Sequence, residues 1–468
     1  MRPTAPAALP SARFAALAAW LRAVIAFVAV IAAVSVPLAA RAADPWLFVN
    51  DVHFDRTSTD AEPITEGGDT NAALLDSLLR EMHRIAPDPP VIVMAGDFLA
   101  HHFKSQTAVP TMVELARRFD RAFPHAQFLI ALGNEDSPCG DYAVPANSSF
   151  LRAVTTAWAP LVNRNGAAPD FKRTFVHYGF YTAKLPLSNV RAVVVDDAFW
   201  SALYHDGCRA GGNPTMRSLA ELAAAVPASG TERRWLVMHI PPGVDAQSTV
   251  TRAHHLAIVP FLRPSPRDDV LRLIADPARR IELVITGHVH RFGYRIIDRG
   301  SAAPVPLLVS PAVSPVFGNL PSFLTADVAP NGVIRNLEEH SLVDRRWQDI
   351  GGLGTLGVSE FSGRALLELQ RRLERDPALR DKFGALYMGD SREREIDAEH
   401  WRPYWCAASE FTSTGFRDCL DEGGFSFLTR RGVVVVGAAI VGILVAIAAS
   451  VGIIVLVLRR RRAARVRF

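Results

Sequence analysis

The chain has 468 residues, 49% of them apolar, enough to bury a large core as one sizeable domain with an appendage. Its formal charge of +4 is not a nucleic-acid footprint. Four arginines lie in the first 42 residues and eight after residue 429, with no acid in either part, which leaves about −8 for residues 43–429.

Residues 23–40 form an apolar run behind Arg2, Arg13 and Arg22, and the run closes on Ala40-Arg41-Ala42, the small-x-small form of a signal-peptidase site. Residues 1–42 therefore read as a signal peptide, with an uncleaved anchor as the alternative. From residue 43, apolar strands alternate with amphipathic helices. Residues 45–50 read as a strand and 71–85 as a helix with Leu74, Leu75, Leu78, Leu79 and Met82 on one face. A strand at 91–95, a helix at 109–123 and a strand at 127–132 follow. Short, nearly continuous apolar strands of this kind belong in sheets covered on both faces. After an insertion come strands at 191–196, 235–238 and 283–286, with a helix at 215–226.

Residues 292–345 turn strand-rich, with strands at 292–297 and 305–309 and a hairpin at Asn331-Gly332. The main domain is thus expected over 43–345. Residues 346–429 open on a glycine-rich stretch at 351–354 and continue as helices at 362–374 and 377–387, the pattern of an appended helical subdomain. Residues 432–458 carry no charge and exceed the ~20 helical residues that cross a bilayer. The arginines at 459–462 open a basic tail, 459–468, expected to stay cytoplasmic, which puts the large domain outside the cytoplasm, in the periplasm if the cell is bacterial. Four cysteines in that oxidising setting allow three pairings. Cys406–Cys419 with Cys139–Cys208 is favoured, and a cysteine zinc site is not, because no Cys-x-x-Cys occurs.

Five short segments stand in order at the ends of these strands. They are Asp51-Val52-His53, Gly96-Asp97, Gly133-Asn134, His239 and Gly287-His288-Val289-His290. In open α/β sheets, ligands gather beyond the carboxyl ends of strands. Singly, an Asp-x-His is an ordinary surface loop, a lone histidine a core residue and a Gly-Asp a turn. Together they supply about seven oxygen and imidazole ligands, one of them a carboxylate able to bridge, which is what a dinuclear metal centre requires. The glycines before Asp97, Asn134 and His288 allow close backbone approach. Tyr142, Trp200 and Tyr204 are candidate pocket residues, although aromatic residues in insertions more often pack.

In this series the chain resembles the calcineurin-like metallophosphoesterases and, within them, the acid sphingomyelinase-like phosphodiesterases. The closer likeness rests on Gly96-Asp97-Phe98-Leu99-Ala100-His101, on His239-Ile240-Pro241-Pro242-Gly243 and on Ser314-Pro315 with Asn319-Leu320-Pro321-Ser322-Phe323. It covers about residues 45–425. The resemblance implies a four-layer α/β/β/α sandwich with two mixed sheets. It also implies Asp51, His53 and His290 on one metal, Asn134, His239 and His288 on the other, and Asp97 bridging. The branch implies zinc, and the ligand types also suit iron or manganese. The implied chemistry is in-line attack of metal-activated water on phosphorus.

One position departs from the family's pattern. Where a histidine commonly follows the Gly-Asn, this chain has Glu135. A carboxyl of ordinary pKa is a poor acid at neutral pH. His101, matching a second histidine of the sphingomyelinase branch, is the expected proton donor, with Glu135 positioning water or substrate. The resulting expectation is an exported, membrane-anchored hydrolase of phosphoesters or phosphoanhydrides. Its substrates would be phosphorylated small molecules, polyphosphate or lipid headgroups. The alternative is a catalytically impaired scaffold on the same fold, for which Glu135 is the sole support.

Overall fold

The computed structural model describes residues 44–205, 214–251 and 257–422. The expected signal peptide, the apolar stretch 432–458, the basic tail and Cys208 lie outside the described residues. Among the described residues, no helix is long and apolar enough to cross a membrane.

Two six-stranded sheets organise the domain. The first runs β14-β13-β12-β1-β2-β3. Its strands are β1 (Trp46–Phe48), β2 (Val91–Met94), β3 (Gln127–Ile130), β12 (Ser322–Val328), β13 (Ile334–Val343) and β14 (Arg346–Gly352). The second runs β10-β11-β9-β6-β5-β4. It contains β4 (Tyr181–Lys184), β5 (Val190–Val194), β6 (Arg233–Val237), β9 (Ile281–Thr286), β10 (Gly293–Ile297) and β11 (Val305–Val309). A short antiparallel pair, β7 (Val244–Asp245) and β8 (Val259–Pro260), stands apart. Both large sheets are mixed: β1, β2 and β3 pair in parallel, as do β5, β6, β9 and β11, while the remaining neighbours are antiparallel.

The sheets meet through apolar faces. Trp46 of β1 and Trp235 of β6 lie 5.1 Å apart between ring centroids. At the far edge, the Tyr181 hydroxyl of β4 bonds both the amide and the carbonyl of Ile130 in β3. The expected helix at 71–85 is α1 (Ala72–Ile85), capped by the Asn71 side chain and burying the five residues its periodicity selects. The other helices are α2 (Ala108–Ala122), α3 (Ser149–Val162), α4 (Phe171–Tyr178), α5 (Thr215–Ala225), α6 (Ala246–Thr251) and α7 (Pro264–Ala275). They are followed by α8 (Gly363–Arg375), α9 (Pro377–Tyr387), α10 (Trp401–Ala407) and α11 (Ser413–Glu422). Within the insertion, α3 places Trp158 against Phe128 of β3 and against Phe98 in the loop after β2.

The main domain does not stop at 345. Asp344 and Arg345 both take positive φ, 46° and 63°, the geometry of a tight hairpin turn, and Arg346–Gly352 returns as the edge strand β14. Without an Asn-Gly or Asp-Gly to mark it, this turn leaves no plain trace in the sequence. Gly351 and Gly352 of the glycine-rich stretch end that strand, and Leu366, Leu369 and Leu373 of α8 join the main core. Cys406 and Cys419 are bonded, tying α10 to α11. Cys139 is also disulfide-bonded.

Candidate metal centre

Each of the five segments follows a parallel strand: β1, β2 and β3 in the first sheet, β6 and β9 in the second. The sheets therefore aim their carboxyl ends at one shared mouth. Between the loops the strand pairing continues, with Asp51 N–H bonding Gly96 O at 3.0 Å, His53 N–H bonding Asp97 O at 2.9 Å and Gly287 N–H bonding His239 O at 3.0 Å. Five of the seven expected ligands, Asp51, His53, Asp97, His288 and His290, have φ between 41° and 69°. A non-glycine residue in that region costs on the order of 1–3 kcal/mol, and such strain collects where function holds it. Gly96 shows why bulk is refused here: a Cβ on it would lie 2.7 Å from both Gly133 N and His239 Nδ1.

The ligand atoms converge. Asp97 Oδ2 lies 3.6 Å from His53 Nε2 and 3.2 Å from His239 Nε2, between the two groups of side chains. On one side, His53 Nε2 is 3.0 Å from His290 Nε2, which is 3.6 Å from Asp51 Oδ1. On the other, His239 Nε2 is 3.1 Å from Asn134 Oδ1 and 3.2 Å from His288 Nδ1. Asp51–His53–His290 and Asp97–His239–His288 each bring three ligand atoms within metal-binding reach of one another.

The ring orientations suit a candidate cation site. His53 Nδ1 faces the Leu99 carbonyl at 3.0 Å, and His239 Nδ1 faces the Ala95 carbonyl at 2.6 Å. A carbonyl only accepts, so both Nδ1 atoms carry hydrogen and both Nε2 atoms point inward. There His239 Nε2 meets oxygens of Asp97 and Asn134, which can only accept, so that nitrogen must carry either a second proton or a cation. Without a cation, the neutral form of His53 is favoured by burial, which pushes its pKa down to about 4. Burial also pulls on His239, but Asp97 beside it outweighs that and raises it to about 10. Divalent cations would satisfy these nitrogens, and the donor set fits two of them.

His101 lines the open side. Asp69 takes its backbone N–H and its Nδ1, both at 2.8 Å. Its ring stacks on His53 at 4.2 Å, and Nε2 is 3.9 Å from Glu135 Oε1. Burial lowers the His101 pKa, yet the Asp69 hydrogen bond and charge lift it to about 9. Burial, then the nearby Asp97 and Asp141 carboxylates, push Glu135 up to about 8.

Several site residues escape a reading of the sequence. Besides Asp69, they include Asp136, whose carboxylate accepts from the Phe98, Leu99 and Gly133 amides and ties the Asp97 loop to the Asn134 loop. Asp141 accepts from Asn134 Nδ2 at 2.8 Å, turning the amide oxygen toward His239. Asp197 accepts from the His239 and Ile240 amides. Of the aromatic candidates, Tyr142 reaches the site, its hydroxyl 3.4 Å from His288 Nε2. Trp200 is fully buried and bonded to Ser218, a packing residue.

Comparison with known proteins agrees with this geometry. The chain is 27% identical to the acid sphingomyelinase-like phosphodiesterase 3b of Mus musculus over 60% of this chain and 61% of that one. It is 23% identical to sphingomyelinase phosphodiesterase D of Dictyostelium discoideum over 55% and 56%. The matched region thus spans about three-fifths of the length of these curated relatives. A purple acid phosphatase from yellow lupin superposes over 65% of this chain and 52% of its own at 12% identity and a TM-score of 0.39, a likeness too loose to bear on activity. The calcineurin-like phosphoesterase family model matches residues 45–292, more than half of the chain and all five ligand segments. By that match, the chain belongs to the calcineurin-like phosphoesterase family.

Proposed function

We propose that this chain is a phosphoester hydrolase working with two divalent cations, zinc by the chemistry of its relatives' branch. The cations would be held by Asp51, His53 and His290 on one side and by Asn134, His239 and His288 on the other, with Asp97 between. The observation that carries this reading is Asp97 Oδ2, within 3.6 Å of imidazole nitrogens from both groups. Cations bound there would supply Lewis acidity toward phosphoryl oxygens and would acidify water.

The chain's own groups do the rest. His53 and His239, anchored through Nδ1 to backbone carbonyls, hold their Nε2 lone pairs fixed, so no reorganisation is needed as charge develops. His101, kept protonated by Asp69, holds a proton at Nε2 on the open side, where it can pass to a departing oxygen. Glu135 faces the same proton across 3.9 Å and orients water or substrate. The likeness to sphingomyelinase-like phosphodiesterases supports phosphodiesters, lipid headgroups among them, as the substrates of this chain.

Export with a C-terminal membrane anchor belongs to the same proposal. It is supported by the small-x-small site at residues 40–42 and by the uncharged stretch 432–458 ahead of a basic tail. The test is metal analysis of the full-length chain purified in detergent, together with hydrolysis of bis-p-nitrophenyl phosphate. About two ions per chain with metal-dependent turnover supports the hydrolase. Bound metal without turnover on any ester would favour a scaffold, the reading that Glu135 alone suggests.

A further inference from the structure

Phe317 stands at the mouth of the metal centre with half of its surface exposed. Its ring centroid is 4.7 Å from that of His290 and 5.5 Å from that of His101, edge-on to both. The loop that carries it is fixed from below. Arg291, fully buried, donates to the Phe317 carbonyl at 2.7 Å, to Asn319 Oδ1 at 3.1 Å and to the His290 carbonyl at 3.2 Å, and it pairs with Glu395. Asn319 Nδ2 bonds Ser314 O, while the amides of Val313 and Ser314 bond Asn50 O and Asp51 O. A buried guanidinium and a chain of hydrogen bonds thus hold one phenyl ring half in water.

We propose that Phe317 is a specificity-determining residue that packs against an apolar leaving group, alkyl or aryl, on the side of the site where His101 stands. This rests on the hydrolase reading above. The ring touches His101, so what it offers lies beside the departing group rather than behind the phosphorus. A fixed apolar surface gains more from binding a chain than a mobile one, because no loop has to be ordered. The competing role is a lid that only keeps water from His290. A lid would act on metal retention and on all substrates alike.

The experiment compares the wild-type chain with Phe317→Ala and Phe317→Leu on methyl S-alkyl phosphorothiolates with S-methyl, S-hexyl and S-benzyl groups. Water adds to phosphorus, the P–S bond breaks, and methyl phosphate and a thiol are released; the thiol is read by a chromogenic disulfide. Methyl and hexyl thiols have nearly the same acidity, so chain length is isolated, and partition into detergent is common to all three proteins. The expected result is a wild-type S-hexyl over S-methyl preference in kcat/KM of about tenfold. Phe317→Ala should reduce it to within about twofold at unchanged metal content, and Phe317→Leu should keep most of it.

A benzyl preference that falls with the hexyl one identifies a general apolar contact, and one that falls alone an aryl site. S-hexyl and S-benzyl preferences that both stay unchanged in Phe317→Ala, or a uniform fall on every substrate with loss of metal, overturn the proposal. If the metal-loaded wild type hydrolyses neither these esters nor bis-p-nitrophenyl phosphate, the hydrolase reading fails instead. Calorimetric binding of hexylphosphonate against methylphosphonate then decides the role of Phe317: equal hexyl-over-methyl ratios in wild type and Phe317→Ala reject it.

Discussion

The proposed metal-ligand half of the candidate centre and its open half are built on different terms. His53, Asp97, His239 and His290 are buried, and the two central rings are fixed by carbonyls of the backbone itself. His101 and Phe317 line the open side, with Glu135 buried beside His101, and His101 is held by another side chain, Asp69. A ligand pinned by main chain survives most substitutions around it, whereas a group pinned by a side chain changes with one substitution. The contrast matches the departures from the family pattern: the seven expected ligands stand where the motif puts them, while Glu135 replaces a histidine on the open side. On the proposed reading, the buried, backbone-pinned half is the one expected to hold metal, and the open half the one where a single substitution changes proton donation or substrate contact.

That contrast can be broken at either half. The largest effect is expected from Asp97→Ala, which removes the carboxylate between the two groups. Turnover on bis-p-nitrophenyl phosphate should fall by at least about 10³-fold, with fewer than two metals per chain by elemental analysis. Retention of both ions and of turnover would show that Asp97 is not shared. On the open side, His101→Gln should lower kcat by about 10²-fold or more on an alkyl phosphodiester and little on a p-nitrophenyl ester, whose leaving group needs no proton. Equal losses on both would remove His101 from proton donation. Asp69→Asn should reproduce the split more weakly.

Two stability measurements sharpen the comparison further. Asp136→Ala leaves three buried amides without an acceptor, each costing about 1–3 kcal/mol, so denaturant unfolding should show a loss of roughly 3 kcal/mol or more. A smaller loss would mean that the two loops hold together without it. Glu339 is the counter-example, a carboxyl buried in β13 away from the candidate centre with no hydrogen-bond partner for either oxygen among the described residues; the nearby Ser322 hydroxyl is engaged by Leu320 and Ser341. Burial raises its pKa well above the ordinary value; the nearby Ser322 hydroxyl opposes this and Asp390 adds to it. In the unfolded chain Glu339 ionises above about pH 4.5, whereas in the fold it stays protonated, so stability falls as pH rises past that point. Glu339→Met should therefore stabilise by on the order of 1 kcal/mol at pH 7, with a gain that shrinks toward pH 4. A gain independent of pH would show that Glu339 is ionised in the fold.

What the sequence discloses follows from the same physics. The five ligand segments are legible because each sits at a strand end, marked by an apolar run and, in three cases, by a glycine the packing demands. Helix α1 is legible because Leu74, Leu75, Leu78, Leu79 and Met82 repeat with the helical period. Asp69, Asp136 and Asp141 are not, since each acts through a partner brought near only by the fold, 32 residues away in the case of Asp69 and His101. The boundary at 345 misleads because the Asp344-Arg345 turn reaches positive φ without glycine. Helices α3 and α4 and strand β4 are hidden within the insertion, where apolar residues such as Trp158 and Tyr181 serve contacts between layers rather than one clean face.

The shared position of Asp97 is tested most directly by loading the metal-free chain with manganese and recording its electron paramagnetic resonance spectrum. Two ions per chain with an exchange-coupled signal, lost in Asp97→Ala, is the predicted result. A single ion, or two ions that give uncoupled signals, would contradict a centre built around one bridging carboxylate.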